Sequence, residues 1–227
     1  MRSCAAPVSW TLVPRSVDVE GVTYQFDALP SFEQASAEAY RQLGRIEHRG
    51  SHALRDDLSP MFGVIWGSAL VLARRLHHAD LDGVDALELG CGLALPAWVA
   101  ARGGARVLAT DQHPDTGALL ARNLAKNGLS DRVRYQALDF RQPGELIRFD
   151  RVWTSDVLFS HEMPELVART FAKTLAPGGI GWLTDPGRTY LPELEGACES
   201  AGLTTRVDVD DDGHGTEAFV VTLTWPA

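Results

Sequence analysis

Cysteine is scarce in this sequence, and its spacing excludes the sites that depend on it. The 227 residues include three cysteines, Cys4, Cys91 and Cys198, an odd number spread widely along the chain. Such spacing fits neither a disulfide framework nor a paired-cysteine metal site, so we predict no metal site. Chains without disulfides are typical of reducing compartments, and we therefore expect a cytoplasmic protein.

The sequence also has fewer basic than acidic residues, and it has no long apolar run. Lys and Arg number 21 against 30 Asp and Glu, which gives a formal net charge of -9. This deficit of positive charge disfavours tight binding to a phosphate backbone, so we expect no nucleic-acid partner. No apolar run approaches the roughly 20 residues of a membrane span, and we expect no membrane partner.

The composition is that of a globular protein, with 45% hydrophobic and 22% charged residues. We predict a small hairpin over residues 17–26, a helix over 31–43 and a mobile polar segment over 44–60 that could form a lid. A helix is predicted over residues 61–77, with Trp66 early in it. These patterns suggest an N-terminal unit at 1–60 followed by the main domain at 61–227.

Predicted strands and helices alternate from residue 84 onward. We predict helices over residues 94–102, 116–127, 162–175 and 191–201, and strands over 84–89, 105–110, 133–138, 149–155 and 180–184. Such alternation is typical of a parallel sheet with helices on both faces. Two last strands, 204–209 and 218–225, are joined only by a polar turn and must be antiparallel neighbours. The sequence therefore predicts an α/β, Rossmann-like seven-stranded sheet, mostly parallel with a C-terminal antiparallel hairpin.

A glycine-rich stretch, residues 88–96 (ELGCGLALP), follows the first strand of this series. Gly90 and Gly92 would let the backbone turn sharply and approach a ligand without a Cβ between them. Asp111 ends the next strand, which is the expected place for a carboxylate that accepts ribose hydroxyls. The plain alternative is a strand–helix turn with Asp111 as a helix cap. Together the features favour a nucleoside-containing ligand.

The residues around this loop favour a cation over a pyrophosphate. Leu95 stands where a dinucleotide site has its third glycine, and the carboxylate of Glu88 would repel phosphate. S-adenosylmethionine carries a sulfonium and an ammonium and no phosphate. Asp139, after the third strand, would accept its adenine amino group, and Phe140 would pack on the adenine ring. We therefore predict S-adenosylmethionine as the cofactor.

Several motifs resemble those of a known family. Residues 86–92 (ALELGCG) resemble motif I of the class I, seven-strand, S-adenosylmethionine-dependent methyltransferases, and the closing hairpin matches that fold. More narrowly, the chain resembles the methyltransferase-like protein lysine methyltransferases over residues 61–203. The motifs that carry this are residues 62–66 (FGVIW), Asp139-Phe140 and residues 149–159 (FDRVWTSDVLF), whose Asp156 and Phe159 match a D-x-x-Y/F signature. Residues 184–192 (TDPGRTYLP) resemble a stretch of the branch that methylates the electron-transfer flavoprotein β-subunit.

The resemblance implies methyl transfer to a protein lysine. Asp156 would orient the lysine ammonium and Phe159 would wall the acceptor channel, although Asp156 as a helix N-cap is the structural alternative. Trp66 would shield the cofactor unless it is a core residue. Gln112 and Ser155, at the ends of their strands, complete the predicted cofactor-binding set.

The chain departs from the family at three positions, one of which is Gly67, where relatives often have proline after the tryptophan. Ala94 stands where the family usually has glycine, and Phe140 stands where it often has tryptophan. Other functions stay open on the sequence: a small-molecule N- or O-methyltransferase, or a cofactor-binding interaction module without turnover. A dehydrogenase is disfavoured by Leu95 and by the closing hairpin.

Overall fold

A computed structural model describes residues 8–44 and 59–226, with a short 3-10 helix at Pro60–Gly63. The helices are α1 (Phe32–Gly44), α2 (Gly67–His77), α3 (Leu95–Arg102), α4 (Thr116–Asn127), α5 (Met163–Thr174) and α6 (Glu193–Ser200). The strands are β1 (Val13–Val19), β2 (Val22–Ala28), β3 (Asp85–Leu89), β4 (Arg106–Asp111), β5 (Val133–Ala137), β6 (Phe149–Ser155), β7 (Leu175–Asp185), β8 (Thr204–Asp211) and β9 (Glu217–Thr224). Most of the proposed lid, residues 45–58, lies outside the described residues.

The main sheet confirms the predicted fold class. Its seven strands run in the order β5-β4-β3-β6-β7-β9-β8. The first five are parallel, whereas β9 is antiparallel to both β7 and β8. The chain leaves β3 toward β4 and β5, then returns to place β6 on the other side. The carboxyl ends of β3 and β6 therefore form the switch point at which open α/β sheets bind ligands.

Helices cover the sheet on both faces, because each face carries its own apolar layer. One layer includes Leu72 of α2, Trp98 of α3 and Leu120 of α4, all buried. The other includes Phe171 of α5 and Leu194 of α6. In the part of the chain that the structure describes, no helix is long and apolar enough to cross a membrane.

The segment before α2 differs from the prediction of one helix over residues 61–77. The 3-10 helix ends at Gly63, and α2 begins only at Gly67, with Trp66 in extended conformation as its N-cap. Gly63 is pressed against Leu29, whose side chain lies 2.4 Å from where a Gly63 Cβ would stand. The Leu29 amide also donates to the Gly63 carbonyl at 2.7 Å. This tertiary contact outweighs the local helical pattern, so the predicted start at Met61 is wrong.

The N-terminal hairpin forms as predicted and packs on the main sheet's helices. Its turn, Glu20-Gly21, has positive φ at both positions, which suits the twist of a tight hairpin. Phe26 of β2 stacks on Trp98 of α3, with ring centroids 4.3 Å apart. The Asp27 amide donates to the Asn123 side chain of α4 at 2.8 Å. The division of the chain at residue 60 stays a prediction, although both sides of it share one apolar layer.

Loss of the Phe26 ring should destabilise the whole domain. Phe26 is 1% exposed, so Phe26→Ala should lower the free energy of unfolding by about 3–5 kcal/mol. Urea denaturation followed by tryptophan fluorescence measures this, with Ile147→Ala as the control because Ile147 is 73% exposed. A wild-type urea midpoint for Phe26→Ala would instead mean that the hairpin folds independently of the sheet.

Candidate active site

A cavity of about 300 Å³ lies at the carboxyl ends of β3, β4 and β6. Nine of the sequence-predicted site residues line it: Trp66, Gly90, Gly92, Asp111, Gln112, Phe140, Ser155, Asp156 and Phe159. The other two, Glu88 and Asp139, are not on its wall. Residues predicted to hold the cofactor and residues predicted to face the acceptor thus share one cavity.

The glycine loop leaves no room for side chains at two positions. Gly90 and Gly92 both have positive φ, at 64° and 49°. A Cβ on Gly92 would lie 3.0 Å from the Phe62 carbonyl oxygen, and a Cβ on Gly90 would lie 3.0 Å from Val157. Close protein packing and the left-handed backbone therefore require glycine at both positions, and both glycines also line the cavity.

The backbone at Ala94 adopts a conformation that favours glycine, the residue that the family usually has at this position. Its φ of 57° and ψ of 33° are left-handed, a conformation that disfavours any residue with a Cβ by roughly 1–2 kcal/mol. The residue precedes α3, and its methyl group is buried in the cavity wall. The chain therefore keeps the family's backbone turn at this position and carries some strain there.

Asp111 connects the glycine loop to the end of β4. One carboxylate oxygen accepts the Gly92 amide at 2.9 Å, and the other accepts the His113 amide at 2.8 Å. Burial raises the pKa of Asp111, although the two amide donors oppose that rise. Each carboxylate oxygen has a second acceptor site, so the side chain can also bind hydroxyl groups of a ligand. Asp111 does not cap α4, whose N-cap is Asp115.

Two aromatic features complete the cofactor end of the cavity. The Phe140 ring lies 3.8 Å from where a Gly90 Cβ would stand, which places it over the loop. Trp66 also lines the cavity, and its indole N–H donates to the Met61 carbonyl at 3.0 Å. Asp139 turns away instead: its carboxylate accepts the Arg141 amide at 2.9 Å. The predicted contact of Asp139 with adenine thus has no support from its position.

Glu88 lies beneath the glycine loop and is 1% exposed. Its carboxyl group accepts the Ala97 amide of α3 at 2.9 Å. Burial raises the pKa of Glu88 to about 8, so the group is mainly protonated at neutral pH. The sequence predicted an anion that would attract a cationic ligand, whereas this position gives Glu88 the role of anchoring the start of α3.

Asp156 is held by an arginine that the sequence reasoning did not assign. The Arg188 guanidinium donates to the Asp156 carboxylate at 2.7 Å and to the Asp185 carboxylate at 3.0 Å. The Asp156 side chain is 6% exposed, and burial raises its pKa more strongly than Arg188 lowers it. The other oxygen of Asp156 is buried and has no hydrogen-bond partner among the described residues. Asp156 does not cap α5, whose N-cap is Glu162.

Arg188 could have been found from the sequence by combining two predictions. It belongs to the TDPGR stretch after β7, and Asp156 follows β6. Since β6 and β7 are parallel neighbours, their carboxyl ends meet at the same edge of the sheet. Phe62 and His113 were also missed: their rings stack in the cavity wall with centroids 3.9 Å apart, and no local pattern indicates that pairing.

A second cavity of about 740 Å³ adjoins the first. Both cavities are lined by Phe32, Val64, Ile65 and Trp66. The remaining wall of the larger cavity comes from the N-terminal hairpin, α2 and the β8–β9 turn. The segment around Trp66 therefore separates two spaces, each of the size that small ligands occupy.

The raised pKa of Glu88 makes a prediction about stability and pH. Between pH 4.5 and about 8 the folded protein retains a proton that the unfolded chain releases, so stability should fall as pH rises through this window. The Gln side chain of Glu88→Gln cannot titrate. The melting temperature of this variant relative to that of the wild type should therefore rise from pH 5 to pH 8. Thermal unfolding across this range measures the effect, with the exposed Glu195→Gln as control. Parallel melting curves for Glu88→Gln and wild type would contradict the buried, protonated state.

Known proteins resemble this chain. A family model described as a methyltransferase domain matches residues 87–180. Ribosomal protein L11 methyltransferase from Deinococcus radiodurans is 30% identical, over 65% of this chain and 55% of its own length. Protein N-terminal and lysine N-methyltransferase EFM7 from Eremothecium gossypii is 30% identical, over 60% of each chain. Ubiquinone biosynthesis O-methyltransferase from Methylocella silvestris is 34% identical, over 78% of this chain and 66% of its own length.

A solved structure shares the fold. The 16S rRNA N2 G1207 methyltransferase RsmC of T. thermophilus, in complex with AdoMet and guanosine, has a TM-score of 0.64 and 20% identity. The match covers 98% of this chain and 53% of that one. This chain spans 55% to 66% of the length of the three curated relatives above. The region that the family model matches holds the glycine loop and strands β4 to β6, and it is a class I, S-adenosylmethionine-dependent methyltransferase domain, as its motifs predicted.

Proposed function

We propose that the protein is a protein-lysine N-methyltransferase that uses S-adenosylmethionine. One observation carries this proposal: Asp156 and Phe159 line the same cavity as Gly90, Gly92 and Asp111. The cofactor end and the acceptor end of the reaction would thus meet in one space. Relatives named as lysine methyltransferases support the acceptor class. The resemblance to the flavoprotein-methylating branch stays a prediction.

The residues at the cofactor end suit S-adenosylmethionine. The bare backbone of Gly90 and Gly92 would admit its methionine part, and Asp111 would accept the ribose hydroxyls. Phe140 would pack on the adenine ring, while Gln112 and Ser155 line the wall beside it. When bound, the cofactor would supply an electrophilic methyl group: the amine nitrogen bonds to the methyl carbon while the methyl–sulfur bond breaks and leaves a neutral thioether.

The acceptor end suits an amine that arrives as an ammonium ion. Asp156 and Asp185 share the single charge of Arg188, so one negative charge remains when both are ionised. That charge would draw a lysine ammonium toward the cavity. Phe159 and Trp66 would then surround the lysine with apolar groups, which lower its pKa and favour loss of the proton to water. Orientation and exclusion of water are thus the tasks of these residues.

We also propose a cytoplasmic location, with a protein acceptor as the partner and neither nucleic acid nor membrane. The low cysteine content and the net charge of -9 support this. The location and the partner classes are expectations from the amino-acid composition.

Isotope labelling tests the acceptor class. Purified protein and methyl-deuterated S-adenosylmethionine are added to a cell lysate, and mass spectrometry locates the deuterated methyl groups. We expect them on lysine side chains of one or a few proteins, and their absence with Asp111→Ala. Label confined to small metabolites would contradict the lysine proposal.

Two carboxylates should separate binding from transfer. Asp111→Asn replaces one carboxylate oxygen by an amide group that cannot accept a hydrogen bond. This change should weaken cofactor binding roughly 10- to 100-fold. Asp156→Asn should leave cofactor affinity near the wild-type value and reduce kcat/KM for the labelled protein acceptor, since Arg188 keeps Asp185 as a partner. Calorimetry and initial rates give the two quantities. The reverse pattern would exchange the roles assigned to the two residues.

The second cavity favours one alternative function, a small-molecule N- or O-methyltransferase. Its volume of about 740 Å³ would hold a compact acceptor beside Trp66. An O-methyltransferase is also among the relatives. The labelling experiment decides between the two, and cofactor binding without any labelled product would instead indicate an interaction module without turnover.

A further inference from the structure

Strand β8 carries an apolar face that the protein leaves uncovered. Its valines alternate with aspartates, a pattern that predicts one buried face. Yet Val207 is 52% exposed and Val209 is 61% exposed, while Phe219 on β9 is 38% exposed. Edge strands usually avoid such apolar exposure because it invites association. The mismatch between pattern and burial indicates a surface that a partner covers.

The length of α6 explains why this face is open. Val207 pairs with Val221 and Val209 pairs with Phe219, so the four side chains lie on one face of the sheet. Helix α6 spans only eight residues, and Leu194 packs beside Val221, which is buried. Toward Val209 and Phe219, at the carboxyl end of β7, no described helix covers the face. A groove of about 300 Å³ results, lined by Val207 and Phe219, and the exposed Val209 continues the same face beside it.

This groove adjoins the candidate active site, and Arg188 lies between the two. Arg188 lines both the groove and the cavity that holds Asp156. The Phe219 ring packs against the turn before Arg188, 3.0 Å from where a Gly187 Cβ would stand. A chain lying in the groove would therefore pass within reach of the acceptor end. The apolar face therefore lies next to the part of the cavity where we propose that the acceptor binds.

The charge around the groove selects a basic occupant. Glu193 and Glu195, in the first turn of α6, form no ion pair within the described ranges. The positive charge at the groove, on Arg188, is already engaged by Asp156 and Asp185. The free backbone edge of β8 can add hydrogen bonds to an extended segment, since no described strand pairs with it on that side.

We propose that this groove binds an extended, lysine-rich segment of the protein acceptor, with alternate apolar side chains against Val207, Val209 and Phe219. The biological role of the groove rests on the proposed lysine methyltransferase function, whereas its affinity for a basic strand does not. A second copy of this chain is the competing occupant.

A defined peptide tests the groove without turnover. The probe is a fluorescein-labelled (Lys-Val)4 peptide amide, with (Glu-Val)4 as the charge control, and fluorescence polarisation gives Kd. We expect the wild type to bind only the lysine peptide. Val207→Thr/Val209→Thr keeps β-branched shapes and should weaken binding about tenfold. Ile147→Thr, a change at an exposed apolar residue that does not line the groove, should not alter binding.

A second variant guards against misfolding of the double substitution. Glu195→Lys lies on the exposed surface of α6 and should weaken binding of the lysine peptide severalfold, with a loss that shrinks at high salt. Absence of wild-type binding, or equal Kd values for wild type and both groove variants, would overturn the proposal. A wild-type dimer that the double substitution converts to monomer in sedimentation would also overturn it, since a second copy then fills the groove.

The two proposals can fail separately. If the labelling experiment finds no methylated lysine while the peptide still discriminates the variants, the groove stands and the lysine methyltransferase function falls. If lysines are methylated at the same rate by wild type and by Val207→Thr/Val209→Thr, and the peptide does not bind, the function stands and the groove is not its docking surface.

Discussion

The Asp111 carboxylate joins two parts of the site that lie 19 residues apart in the chain. It accepts the Gly92 amide of the glycine loop and the His113 amide beyond β4. These bonds hold the loop at the switch point of the sheet, where Phe62 also packs against Gly92. The cavity, the start of α3 and the aromatic wall formed by Phe62 and His113 all depend on that fixed loop.

Arg188 has the corresponding position at the other end of the cavity. One guanidinium holds Asp156 and Asp185, and the same residue borders the apolar groove on β8 and β9. The two carboxylates to which we assign functions differ in their partners: Asp111 has backbone amides, and Asp156 has a side-chain cation. That difference suits a neutral hydroxyl ligand at one end and a cationic acceptor at the other.

Patterns with a local physical cause were predictable. The alternation of strands and helices and the tight turn at Glu20-Gly21 depend on nearby residues, and the structure confirms them. The helix predicted from Met61 failed because Gly63 is pressed against Leu29, a contact across 34 positions that no local pattern records. The sequence predicted the strand that holds Val207 and Val209, but the exposure of both valines depends on where α6 ends.

The sequence by itself determined the order of the elements and placed the glycine loop, Asp111 and Asp156 at one edge of a sheet, because hydrophobic period and spacing are properties of the chain. Only the tertiary structure decided which acidic groups face the cavity. Glu88 lies below the loop with its pKa raised by burial, Asp139 turns to Arg141, and Asp156 meets Arg188. The direction and charge of a side chain depend on solvent access and on neighbours that are distant in sequence, and these exist only once the chain has folded.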